Sequence, residues 1–214
     1  MSTRCREQNH SFFQSNFNVG ACSLLEVLEC WIISLEIIVI PILSAFWVML
    51  PAYLPNPVAA LCGGGTPIDL GRNYSDGRRV FGDGKTWRGL ACGIGAGILI
   101  GLLQVAAAGS YGWVFLPHLT LSAIILLATG ALLGDLVKSF FKRRYGKERG
   151  AKWPVADQYD LVAGAFLLLL LFDHEWLFAT VTLPVFLIIL ILTPLLHRAM
   201  NILGYLVKVK EVPW

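Results

Sequence analysis

Five apolar stretches, each long enough to cross a bilayer, constrain this chain more than any other feature. They cover about 31–54, 87–108, 113–134, 161–179 and 181–205. Spanning the hydrocarbon core takes about 20 apolar residues as a helix, and in lipid only a helix or a closed barrel satisfies its own backbone. Composition agrees: of 214 residues 56% are hydrophobic and 14% charged, where a soluble domain carries about 25% charge. The sequence therefore predicts an all-α integral membrane protein with five transmembrane helices in one domain, residues 31–214. Residues 1–30 are expected to be an extracellular extension by the alternation of charge along the chain, and MSTRCREQNHSFFQSN lacks the apolar core of a signal peptide.

Charge sets the orientation. Arg72, Arg78, Arg79, Lys85 and Arg88 lie between the first and second spans. Lys138, Lys142, Arg143, Arg144, Lys147, Arg149 and Lys152 lie between the third and fourth, whereas 109–112 and 173–175 carry no Lys or Arg. Basic residues stay on the cytoplasmic side, so both polar loops and the C-terminus are expected in the cytosol and the N-terminus outside. These cations then serve a membrane interface, and no nucleic-acid partner is expected.

Loop one, 62–88, reads CGGGTPIDLGRNYSDGRRVFGDGKTWR. Glycines let backbone N–H groups approach a ligand closely, and successive N–H groups make anion-binding concavities. Gly63, Gly64 and Gly65 together with Asp69, Asp76, Asp83, Arg78, Arg79 and Lys85 point to a polyphosphate. Gly84-Lys85-Thr86 is not a Walker loop, because Arg79 replaces its leading glycine and no strand precedes it.

Loop two, 134–160, reads GDLVKSFFKRRYGKERGAKWPVADQYD. Asp135, Lys138, Ser139 and Lys142 share one face of a helix continuing from the third span. Asp157 and Asp160 share a face if helical. Asp135, Asp157 and Asp160 are thus candidates for one hard-cation site, because carboxylate oxygens suit Mg²⁺; Asp157 as a helix cap and Asp160 beside the helix dipole are the competing reading.

The remaining polar residues carry less. His10, His118, His174 and His197 fall outside both loops, so no histidine nucleophile pair or metal site is expected; His174 is read as an outer turn. The five cysteines show no CxxC spacing. Glu36 is read as interfacial, Pro41, Pro184 and Pro194 as kinks, and Gly93, Gly95, Gly97 and Gly101 as helix-packing positions.

Lys138-Ser139, Lys142-Arg143 and Asp157-x-x-Asp160 resemble the signature of the membrane CTP-dependent cytidylyltransferases, the CDP-diacylglycerol synthase superfamily. Loop one sharpens the likeness: Pro51-Ala52-Tyr53, Asn56, Gly63-Gly64-Gly65, Pro67-Ile68-Asp69, Asp76-Gly77-Arg78-Arg79 and Gly82 to Gly89 are similar to the compact archaeal branch, the CDP-archaeol synthases. The pair here encloses Gln158-Tyr159, where the bacterial enzymes have an arginine, and WPVA replaces their His-Gly-Gly segment.

The resemblance implies transfer of CMP from CTP to an unsaturated isoprenoid ether-lipid phosphate at the inner face of the cell membrane, giving CDP-archaeol and pyrophosphate. It implies Mg²⁺ on Asp135, Asp157 and Asp160, with Lys85 and Lys138 completing the catalytic set. CTP would be held by Gly63, Gly64, Gly65, Asp69, Arg78, Asp83, Lys85 and Thr86. Phosphate of the lipid would be held by Asn56, Arg79, Ser139, Lys142 and Arg143. A homodimer is compatible with the sequence. A lipid kinase or phosphatase would also use basic cytosolic loops. A small transporter or channel is the non-enzymatic alternative, against which the spans hold almost no ionisable residues.

Overall fold

The computed structural model describes residues 35–147 and 153–206. The expected extension, residues 1–30, lies outside the described residues, as do Arg149 and Lys152. The regular secondary structure of the described residues is helical, with two isolated bridges and no strands. Helix α1 is Ile40–Tyr53, α2 Pro55–Leu61, α3 Trp87–Tyr111, α4 Leu121–Arg144, α5 Ala156–Phe172, α6 His174–Thr180 and α7 Leu183–Leu206.

Among the described residues four helical stretches are long and apolar enough to cross a membrane: Ile37–Leu61, Trp87–Tyr111, Leu121–Arg144 and Leu183–Leu206. The bent pair Ala156–Phe172 with His174–Thr180 makes a fifth if it is one span. Three expected boundaries move. The first span runs past 54 to Leu61, because Pro55 starts a new helical turn, where its missing N–H costs nothing. The third begins at Leu121 rather than 113, capped by the Thr120 hydroxyl, which accepts from Ala123 N–H at 3.2 Å. It also runs on to Arg144, which puts the Asp135–Lys142 face on helix. The fourth is not a straight 161–179. α5 ends at Phe172, and α6 leaves it at 120°. At this corner the Asp173 carboxylate accepts from Ser122 Oγ at 2.6 Å, tying it to the start of α4.

Pro41 follows directly on a π-helical turn, Leu35–Val39, inside the first helical stretch. Pro51 and Pro194 lie inside helices, and each leaves the carbonyl four residues earlier without its N–H partner. A neighbouring helix supplies each missing donor. Gln104 of α3, buried in mid-span, donates Nε2 to Trp47 O at 2.9 Å; Tyr159 of α5 donates its hydroxyl to Leu190 O at 3.0 Å. This is how a membrane bundle tolerates proline.

Glycine sets the closest helix contacts. Gly93, Gly97 and Gly101 face α1, α2 and α4 so tightly that a Cβ on Gly97 would stand 2.6 Å from Pro51 O and one on Gly101 2.5 Å from Ile124. Gly95 faces open space and takes no part in this packing. Between α4 and α5, Gly130, Gly134 and Gly164 bring backbone against backbone: a Cβ on Gly134 would overlap Asp160 O, and one on Gly164 would overlap Gly130 O.

Candidate active site

That glycine contact determines the chemistry beside it. Gly134 lies against the backbone of Asp160, so the side chains following it on α4 meet those at the start of α5. Lys138 Nζ stands 3.0 Å from Asp135 Oδ1, 3.4 Å from Asp157 Oδ1 and 2.6 Å from Asp160 Oδ2. The Asp160 side chain is 2% exposed and the Lys138 side chain 14%, so the ammonium and the carboxylates compensate one another away from bulk water. Lys142, one turn on, holds both oxygens of Asp157 at 3.2 and 3.3 Å, and Trp153 N–H donates to that carboxylate at 2.8 Å. The expected polar face of α4 is present, and both acids at the start of α5 face it.

Loop one reaches the same place. Its ends pair, with Ile68 N–H donating to Lys85 O at 2.8 Å and Trp87 N–H to Thr66 O at 3.2 Å. Lys85, projecting from this closed base, donates to Asp135 Oδ2. Gly64 and Gly65 adopt φ of +101° and +78°, and the neighbouring backbone is exposed.

Asp69 organises the loop. Its buried carboxylate accepts from the N–H groups of Gly71 (3.1 Å), Phe81 (3.0 Å) and Gly82 (2.9 Å), and from Arg79 Nη2 at 2.6 Å. Burial alone would raise its pKa; the Arg79 guanidinium and the three N–H donors outweigh that and hold the carboxyl well below the usual range. A lowered folded-state pKa contributes stability that is present above the unfolded value near ~3.9 and is lost as pH falls below it. Asp69→Asn is therefore expected to cost on the order of 3 kcal/mol at neutral pH. It should also flatten the loss of stability on acidification below about pH 4; melting curves with identical acid slopes for wild type and variant would contradict this.

A second lock joins the two loops. Arg78 donates to the carbonyls of Arg144 (2.6 Å) and Arg143 (3.3 Å), capping the C-terminus of α4. Arg144 answers by donating to Arg79 O at 2.6 Å and pairing with Asp76 at 3.2 Å. Its guanidinium lies 4.8 Å from the Tyr74 ring centre and 4.9 Å from that of Phe140.

Several expected ligands have structural partners in this geometry. Thr86 caps α3, its Oγ1 accepting from Gly89 N–H at 3.1 Å. Ser139 Oγ donates to Asp135 O at 2.8 Å. Arg79 also holds Asp83 at 2.5 Å. Arg143 donates to Lys147 O at 2.8 Å and packs on Gly82. Asn56 lies on α2 with its Oδ1 buried. Lys85, Asp135, Lys138, Lys142, Asp157 and Asp160 form one ionic cluster; Gly63–Gly65 are not in it. The sequence reading gave Arg144, Gly134, Gly164 and Tyr159 no role in the site. A lone glutamine in mid-span and prolines four residues beyond a carbonyl were the available signals for the proline partners.

The donor set suits a divalent cation in kind: three carboxylates from two helices converge on one point, with hard oxygens only. In the geometry shown they close around an ammonium, and among the described residues no three acidic, histidine or cysteine groups are spaced to hold a metal.

Comparison with known proteins agrees with this architecture. Residues 34–214 match the family model described as CarS-like, CDP-archaeol synthase. The chain is similar to the CDP-archaeol synthase of Methanoregula boonei, 66% identical over 166 residues, which span 78% of this chain and 100% of that protein. It is likewise similar to that of Methanoculleus marisnigri, 62% identical with the same coverage. A solved structure of an intramembrane enzyme for archaeal membrane lipid biosynthesis superposes with a TM-score of 0.62 at 37% identity, covering 75% of this chain and 94% of that one.

Proposed function

Because the chain belongs to the CDP-archaeol synthase family, and so is a multi-pass membrane enzyme of CTP-dependent cytidylyl transfer in archaeal lipid synthesis, we propose that its two polar segments divide the reaction between them. Loop one receives CTP, and the cluster on α4 and α5 carries the transfer to the lipid phosphate. The observation that supports this division is the Lys85–Asp135 contact, which joins the glycine-rich loop to the acidic cluster.

By the positive-inside rule both segments open to the cytosol. The isoprenoid tails of the acceptor stay in the bilayer while its phosphate meets aqueous CTP at the interface. A phosphate monoester has a second pKa near ~6, so it is ionised at neutral pH and needs no general base, in keeping with a cluster that contains no histidine. Its oxygen attacks the α-phosphorus in line, the new P–O bond forms, and the bond to the β-phosphate oxygen breaks to release pyrophosphate. Lys85, Lys138 and Lys142 are the cations nearest the acidic residues and offset the repulsion between the two phosphates. Asp135, Asp157 and Asp160 are the residues that would hold Mg²⁺, which when bound would supply neutralisation of phosphate charge. Those carboxylates otherwise keep the lysines in place.

Purified protein in lipid nanodiscs, given α-labelled CTP, Mg²⁺ and either an ether or an ester lipid phosphate, is expected to put the label on lipid and release pyrophosphate. A γ-phosphate left on lipid, as a kinase would leave it, would overturn the proposal. Lys85→Ala is expected to raise the KM for CTP about tenfold, the loss of one contact to a charged group. Unchanged CTP affinity by calorimetry would remove Lys85 from the site.

A further inference from the structure

The residue between the catalytic acids has a bond of its own. Tyr159 lies in Asp157-Gln158-Tyr159-Asp160 and sends its hydroxyl to α7, where Leu190 O accepts it at 3.0 Å. That carbonyl is open because Pro194 has no N–H to offer it. The neighbouring carbonyl, Ile189 O, is served by Thr193 Oγ1 at 2.7 Å, and Thr193 is in turn 2.9 Å from the Tyr53 hydroxyl of α1. The polar groups around Pro194 thus tie α1, α5 and α7 together in a half-buried network.

The first turn of α5 is consequently held from two directions. On one side the backbone of Asp160 rests on Gly134 of α4; on the other Tyr159 is anchored to α7. Rotating this turn about its own axis would break one contact or the other. The same rotation would carry Asp160 away from Lys138, which it meets at 2.6 Å, and Asp157 away from Lys142.

We propose that Tyr159 is a positioning residue for cytidylyl transfer, its hydroxyl using the carbonyl freed by Pro194 to fix the orientation of Asp157 and Asp160 toward Lys138. The proposal rests on the function proposed above. A merely structural hydroxyl would do no more than satisfy Leu190 O, and that role can be taken over: P194A restores a backbone N–H to this carbonyl.

Wild type, Y159F, P194A and Y159F/P194A in nanodiscs, each assayed for kcat, both KM values and thermal midpoint, separate the two roles. Y159F is expected to lose about tenfold in kcat with the KM for CTP within about twofold, the pattern for misaligned reacting groups. Y159F/P194A is expected to recover the wild-type midpoint and yet stay slow, whereas P194A alone keeps near-normal kcat. Wild-type kcat in Y159F or in the double variant would overturn the proposal, and so would a P194A variant as slow as Y159F, which would assign the effect to the bend of α7. Failure of the underlying function is visible separately, as absence of cytidylyl transfer by wild type.

Discussion

Asp157→Asn is expected to cut turnover about 10²–10³-fold, the loss typical of one electrostatic contributor to a transition state, while the protein remains folded in detergent. Asp157 is the acid that faces both Lys138 and Lys142. Asparagine keeps its shape and can still accept the Trp153 N–H. What disappears is the charge that sets both ammonium groups, together with one proposed oxygen ligand for the divalent ion. Near-normal Mg²⁺-dependent incorporation of labelled CTP into lipid by this variant would remove Asp157 from the reaction.

Gly134→Ala is expected to destabilise the bundle by at least about 3 kcal/mol, the upper end for overpacking, and to abolish activity in whatever fraction folds. The added methyl has no room, because what it meets is the Asp160 carbonyl, part of a rigid helix backbone rather than the end of a flexible side chain. The helices must part, and parting them separates Asp160 from Lys138. Gly95→Ala is the control: nothing lies within 4 Å of that position, and alanine favours a helix over glycine. Equal thermal midpoints for the two variants would show that the α4–α5 contact is not as close as described.

Much of this molecule follows from local pattern. Apolar stretches of membrane-spanning length required helices, and helical spacing placed Asp135, Lys138 and Lys142 on one face and Asp157 with Asp160 on another. The boundaries shifted where a local cap competed with hydropathy, as at Thr120, or where a corner was held from afar, as at Asp173. Loop one was legible as a glycine-rich polar segment but not as a folded unit. The partners of Asp69 and Arg78 are carbonyl and N–H groups, and backbone is the same at every position, so sequence gives no sign of which ones will be used.

Sequence alone therefore determined the class of the fold, the ends of the chain segments that carry charge, and the residue types available for phosphate chemistry. All of these depend on periodicity and composition within a single helix or loop. Only the tertiary structure decided that three aspartates from two helices share one lysine, that Arg144 locks the loops together, and that Tyr159 serves a carbonyl opened by Pro194. Each of those depends on how closely two helices approach and how they are rotated, and here glycines and prolines on separate elements set both.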